Sequence, residues 1–248
     1  MAYEKNGIQY PSVTTILGIL DKPALLSWAS NSAVNYIEDN IDAVKDPLDV
    51  HRGEEVLELA RTAYKKISKD ACDSGSMTHH AIEAYINGLE YEYILQTEES
   101  RNGFEAFLSW ESKNHVEWLE SEVEIIDEEI GYGGRFDAIA RVNGHIYLID
   151  FKTSKSIYDE MAVQLCAYRQ TVNKVRLEAG LELIENIAVL HLNKETAEPT
   201  FKPFEKDLER KTAFFNALVN VYYLEKNRRL KNNPFVKKAK EGGLKWDY

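Results

Sequence analysis

Gly131-Tyr132-Gly133-Gly134-Arg135-Phe136-Asp137-Ala138-Ile139-Ala140-Arg141-Val142-Asn143-Gly144-His145-Ile146-Tyr147-Leu148-Ile149-Asp150-Phe151-Lys152 is the stretch whose reading decides the fold. Two β-rich runs flank Asn143-Gly144, the dipeptide that best tolerates the positive φ values of a type I′ turn. A two-residue turn pairs Val142 with His145 and fixes the register behind it. Counting outward, Asp137 falls opposite Asp150 and Arg135 opposite Lys152. Alternation then places Asp137, Ile139, Ile146, Leu148, Asp150 and Lys152 on one face, with opposed Cβ atoms about 5 Å apart. Phe136, Ala138, Ala140, Tyr147, Ile149 and Phe151 take the other. Both faces are largely apolar, so the expectation is an α/β fold whose central mixed sheet is covered by helices on both sides.

Opposed acids repel, and partial burial worsens the repulsion, so Asp137 and Asp150 are expected either to share a proton or to hold a cation. The plainer alternative is an exposed hairpin end with solvated charges. Two carboxylates with open positions suit magnesium or manganese, hard cations that keep waters and accept phosphate oxygens. Such a metal lowers the pKa of bound water and stabilises charge on a phosphoryl oxygen. Lys152 beside it can orient the attacking water, or act as base where its pKa is depressed. That chemistry is phosphodiester hydrolysis.

The 248 residues suffice for one large domain, and 44% hydrophobic with 29% charged content is ordinary for a globular protein. No targeting segment or membrane-length apolar run is visible, so the expected place is the cytoplasm, with no membrane partner. Cys72 and Cys166 are too few for a four-cysteine iron–sulfur cluster or a thiolate zinc site and read as packing residues. A net charge of −11 disfavours whole-surface attraction to nucleic acid, yet a local basic groove can coexist with it.

Before the hairpin, Ser12 can cap a short helix ending near Gly18, helical spacing resumes after Pro23, and Glu54 to Ile67 reads as one amphipathic helix. A further helix is expected from Asp73 or Ser74 to Asn87-Gly88, with His79 and Glu83 one turn apart on the same face. Alone, such a pair is ordinarily a surface ion pair. Ser100 can cap the next helix, and Leu119 to Ile126 alternates as a strand with Glu120, Glu122 and Glu124 on its polar side, any of which could approach the hairpin's acids although a solvated strand face is the ordinary reading. After Lys152, a helix capped by Ser156 carries Gln164 and Tyr168 one turn apart and leads to an apolar strand at Asn186 to Leu192, a parallel crossover. A last helix spans about Asp207 to Leu224. The expected organisation is a single domain over 1–248: a helical elaboration at 1–70, a core at 71–195, a C-terminal helix region at 196–225 and a basic tail at 226–248. That tail, with Lys226, Arg228, Arg229, Lys231, Lys237, Lys238 and Lys240, is either solvated or a phosphate-contacting arm.

Gly134-Arg135-Phe136-Asp137, Asp150-Phe151-Lys152-Thr153 and Gln164-Leu165-Cys166-Ala167-Tyr168 resemble, in order, the G-x-x-D, D-x-K-T and Q-x-x-x-Y motifs of RecB-type nucleases of the PD-(D/E)XK superfamily. Gly75-Ser76-Met77-Thr78-His79 is similar to that branch's upstream G-x-x-x-H element. The resemblance implies a restriction-endonuclease-like core and a metal held by His79, Asp137, Asp150 and the carbonyl of Phe151, with Asp137, Asp150 and Lys152 catalytic. Gln164 and Tyr168 would line the DNA channel, Arg135 would contact substrate, and Glu83 and Glu122 would be secondary. Phe136 stands where the superfamily's name has proline. Some relatives hold an iron–sulfur cluster through four cysteines; this chain instead resembles cluster-free exonucleases of phage recombination or mitochondrial genome maintenance.

The expected function is therefore a magnesium- or manganese-dependent deoxyribonuclease, an exonuclease acting on single-stranded DNA or free ends in recombination, repair or replication. Two alternatives remain: a catalytically silent DNA-binding or recombination-partner protein on the same fold, and a structure-specific endonuclease. A partner protein and a homo-oligomer both stay open.

Overall fold

The computed structural model describes residues 2–46 and 48–229. In chain order these form β1 (Ala2–Lys5), β2 (Ile8–Pro11), α1 (Val13–Leu17), α2 (Pro23–Asp39), α3 (Ile41–Lys45), α4 (Val50–Ala60), α5 (Ala63–Ile86) and α6 (Glu98–Glu111). There follow β3 (Val116–Asp127), β4 (Tyr132–Val142), β5 (His145–Lys152), α7 (Asp159–Glu178), β6 (Asn186–Leu192), β7 (Pro199–Phe204) and α8 (Leu208–Arg229). The fold is α/β. Its sheet has the order β3-β4-β5-β6-β7, antiparallel except for the β5–β6 pair that α7 connects. No described helix is long and apolar enough to cross a membrane.

Asn143 and Gly144 take φ of 50° and 88°, the left-handed values that a type I′ turn demands. Val142 pairs with His145, and the ladder continues to Ala138 opposite Ile149. There the β4–β5 pairing stops, one step short of the expected Asp137–Asp150 and well short of Arg135–Lys152. The Asp137 carboxylate is the reason, since its Oδ2 accepts the Phe151 N–H at 2.6 Å and replaces the next main-chain rung.

Facing also changes at this point. Ala138, Ala140, Ile149, Phe151, Leu190 and Leu192 share a core with Ala81 and Ile82 of α5 and Phe104, Phe107 and Trp110 of α6. Strict alternation would send Tyr132 and Gly134 to that same face. Instead the Tyr132 hydroxyl lies 2.6 Å from the Ala167 carbonyl oxygen on α7. A Cβ on Gly134 would come within 2.3 Å of the Tyr168 ring on that helix. The strand therefore swaps faces across Phe136 and Asp137, so the expected grouping of side chains fails at the acid itself.

Of the described residues, 2–19 and 78–229 form one compact unit, and those within 20–77 form another. In the first, β1 and β2 make a hairpin through Asn6-Gly7, with φ of 54° and 75°, where the sequence reading expected only a lead-in to a helix. Ser12 caps α1 by accepting the Thr15 N–H at 3.0 Å, and Tyr10, Val13, Ile16 and Leu17 are buried. In the second, the single helix expected over Glu54 to Ile67 is two, α4 and α5, broken at Arg61-Thr62. Helix α5 consequently starts at Ala63 rather than at Asp73 or Ser74, although it ends as expected before Gly88, with φ of 68°. Cys72 is exposed, contrary to its reading as a packing residue, whereas Cys166 is buried.

Two caps also differ. Thr97, not Ser100, caps α6: the two exchange side-chain and backbone hydrogen bonds at 3.1 Å, with Ser100 at the third helical position. Tyr158, not Ser156, precedes the first turn of α7. Strand β7, which the sequence reading did not identify, places Phe201 in a stack on Trp110 with ring centroids 5.2 Å apart. The part of the basic tail from Lys231 to Lys240 lies outside the described residues.

Candidate metal centre

Four elements deliver the site. Helix α5 brings His79, strand β3 brings Glu122, and the diverging ends of β4 and β5 bring Asp137, Asp150 and Lys152. One ligand atom from each of His79, Glu122 and Asp137 lies within 4.8 Å of the other two. His79 Nδ1 stands 3.7 Å from Asp137 Oδ1, too far for a hydrogen bond and close enough for both to reach a common ion. The His79 ring meets the Phe151 ring edge-on at 6.0 Å, which fixes its orientation.

Glu122 arrives by an unusual route. A one-residue bulge at Leu119, between the Trp118–Ala140 and Glu120–Ile139 pairs, resets the β3 register. The rows Ser121–Ala138 and Val123–Phe136 then leave Glu122 abreast of Asp137. Its φ of 52° is the left-handed region that a glutamate seldom adopts. Its carboxylate is held by Arg135 Nε at 2.9 Å. Glu122 is thus a member of the centre rather than part of a solvated strand face. The sequence marks Glu122 only as a secondary candidate, because Glu has no preference for positive φ and nothing in the strand announces its bulge.

Asp150 is buried, and its Oδ2 lies 2.6 Å from Lys152 Nζ. This contact is an ion pair by distance but is not aligned as a hydrogen bond. Among the described residues, Asp150 Oδ2 is the buried side-chain oxygen left without a hydrogen-bond partner. A buried carboxylate is costly unless something cationic satisfies it, and for Asp150 that cation is Lys152. The group of three carboxylates and an imidazole, with His79, Glu122 and Asp137 already converging, suits a hard divalent cation. Of the ligands implied by resemblance, His79 and Asp137 converge directly with Glu122, and Asp150 joins through Lys152. What Phe151 visibly supplies is its N–H to Asp137.

The charges are strongly interdependent. Burial drives the Asp150 carboxyl up to about 6, against the pull of Lys152. Burial and the Asp137 charge drive Glu122 up to about 7, Arg135 opposing. Burial also works against the anion at Asp137, but His79, Lys152 and the Phe151 N–H outweigh it and hold the group below its ordinary value. For His79 and Lys152, burial disfavours the cations, yet the neighbouring carboxylates prevail and raise both.

The remaining expected residues sit around this centre. Gln164 Nε2 donates to the Tyr168 hydroxyl at 3.1 Å, and the Tyr168 ring covers Gly134. Only 4% of Tyr168 is exposed, so its ring is a floor beneath the site and not an open stacking surface. Arg135 is half-exposed above Glu122. Glu83 is within electrostatic reach of Glu122 but outside the converging atoms, and His80 is exposed, as its position on the helix requires. No family model matches the chain, and no curated protein matches its sequence.

Proposed function

We propose that this chain is a divalent-metal-dependent deoxyribonuclease of the PD-(D/E)XK type that acts on DNA ends. The observation that carries the reading is the convergence of His79, Glu122 and Asp137 ligand atoms within 4.8 Å of one another beside the buried Asp150–Lys152 pair. A purely structural ion pair has no use for the second set of acids, whose mutual repulsion raises its cost.

His79, Glu122, Asp137 and Asp150 would hold the ion. Magnesium or manganese bound there would acidify water and offset charge on a phosphoryl oxygen. Lys152 is kept protonated by Asp150 and Asp137, so its part is to donate hydrogen bonds that orient water and the scissile phosphate rather than to accept a proton. Arg135 offers an accessible guanidinium to the flanking phosphate, at the expense of its bond to Glu122. Contacts of this kind go to the backbone and predict little sequence specificity. Preference for free ends, and work in cytoplasmic recombination or repair, extend the proposal along the sequence resemblance.

The test is incubation with linear and covalently closed circular DNA in magnesium, manganese or chelator. Metal-dependent loss of linear DNA alone is expected, with Lys152→Ala and Asp150→Asn falling by about 10²–10⁴ while keeping their cooperative thermal transition. Cutting of closed circles overturns the end preference; undiminished cleavage by both variants, or binding without cleavage by the parent, overturns the nuclease.

A further inference from the structure

The site has a second aromatic, and it comes from the other end of the chain. Gly133 and Gly134 are successive strand residues, so their missing side chains point to opposite faces. Tyr168 fills the space over Gly134. The space over Gly133 is filled by Tyr3 of β1: a Cβ on Gly133 would lie 2.8 Å from the Tyr3 Cβ and Cγ. Tyr3 is held there by the β1–β2 hairpin, where it pairs with Tyr10, and by the bridge between Ser12 and Gly133. Its ring is partly exposed, unlike the buried Tyr168, and its hydroxyl lies within electrostatic reach of Glu122, Glu124 and Arg135. The aromatic that borders the Glu122–Arg135 pair and remains open to solvent is therefore Tyr3.

We propose that Tyr3 is the base-stacking platform of the substrate groove: its ring receives a nucleobase of single-stranded DNA while Arg135 holds the adjoining phosphate. This deepens the nuclease reading and rests on it. Stacking on an aromatic tolerates any base, in keeping with a site that has no base-reading module, and an unpaired strand is what can offer an open base face. Tyr3 acts on binding and does not touch the reacting atoms.

Binding of a short fluorescein-labelled single-stranded oligodeoxynucleotide is measured by anisotropy in the Asp150→Asn background, and KM and kcat on the same strand in the active protein. Tyr3→Leu keeps an apolar side chain on Gly133 and removes the aromatic face. It is expected to weaken binding at least about fivefold and to raise KM with kcat retained, whereas Tyr3→Phe restores both. A duplex of the same sequence should be much less sensitive. If the active protein cleaves DNA and Tyr3→Leu leaves affinity and KM unchanged, the stacking role is wrong and the nuclease stands. If the active protein neither binds nor cleaves DNA, both fall.

Discussion

Asp150 carries a charge in the place least suited to one, and the consequence can be read in solution. Its carboxyl is pushed up to about 6 and that of Glu122 to about 7, against about 4 for the unfolded chain. A carboxyl whose folded value is raised contributes stability in full below its unfolded value and loses it as pH rises through the folded one. His79, also raised, loses its contribution above about 6.5, in the same direction. Asp137 has the opposite sign, but its lowered value puts that change below this range. The metal-free protein should therefore become less stable between about pH 5 and about pH 8. Manganese should return the lost stability increasingly toward the alkaline end, because cation and protons compete for the same oxygens. Scanning calorimetry in chelator and in manganese across that range checks it. A flat profile in chelator, or a manganese gain independent of pH, would count against the charged cluster as described.

At the scale of an element, β3 places its acid by backbone geometry. The bulge at Leu119 and the left-handed Glu122 cost stability, of order 1 kcal/mol for the strained residue, that an ordinary strand would not give up. Glu122→Gly separates the two consequences. Glycine adopts that φ freely and removes a carboxylate that burial disfavours, so thermal stability should hold or rise. Manganese affinity, read by titration calorimetry, should fall by about tenfold or more, as for a lost ligand. Loss of stability with unchanged affinity would make Glu122 a packing residue. The same strands show what the sequence could and could not disclose. Asn143-Gly144 announced its hairpin because only a few residue types accept two left-handed positions. Asn6-Gly7 carried the same signal between runs only four residues long, and its hairpin was overshadowed by the cap at Ser12. Helix α4 breaks from α5 at Arg61-Thr62 without the glycine or proline that usually marks a break, and β7, an edge strand, begins at Pro199 and contains Pro203, residues that read against a strand. Asp137 and Asp150 were legible as a pair. Their true relation was not, because Asp137 ends the ladder by taking the Phe151 N–H.

For the whole molecule, the decisive fact is that residues 2–19 belong to the unit that carries the candidate metal centre, although residues 20–77 separate them from it in sequence. This segment fills the interior. Tyr10 is 1% exposed, Val13 and Ile16 are 0% exposed, and Leu17 is 2% exposed. Burying one such side chain is worth about 1.5–3 kcal/mol, so the four together supply roughly 6–12 kcal/mol, the same size as the net stability of a typical domain at about 5–15 kcal/mol. The hairpin also covers β4 where Gly133 leaves room, so its loss would uncover strand backbone beside the site. A chain beginning at Leu20 is therefore expected to lose the cooperative unfolding transition of this unit, and metal binding with it, with Ile16→Ala as the milder form at a cost of about 2–5 kcal/mol. Circular dichroism melts and manganese titration of both variants provide the measurement. A shortened chain that still melts cooperatively and binds manganese as the full one does would show that the core closes without its first strands, and that the hairpin serves the substrate alone.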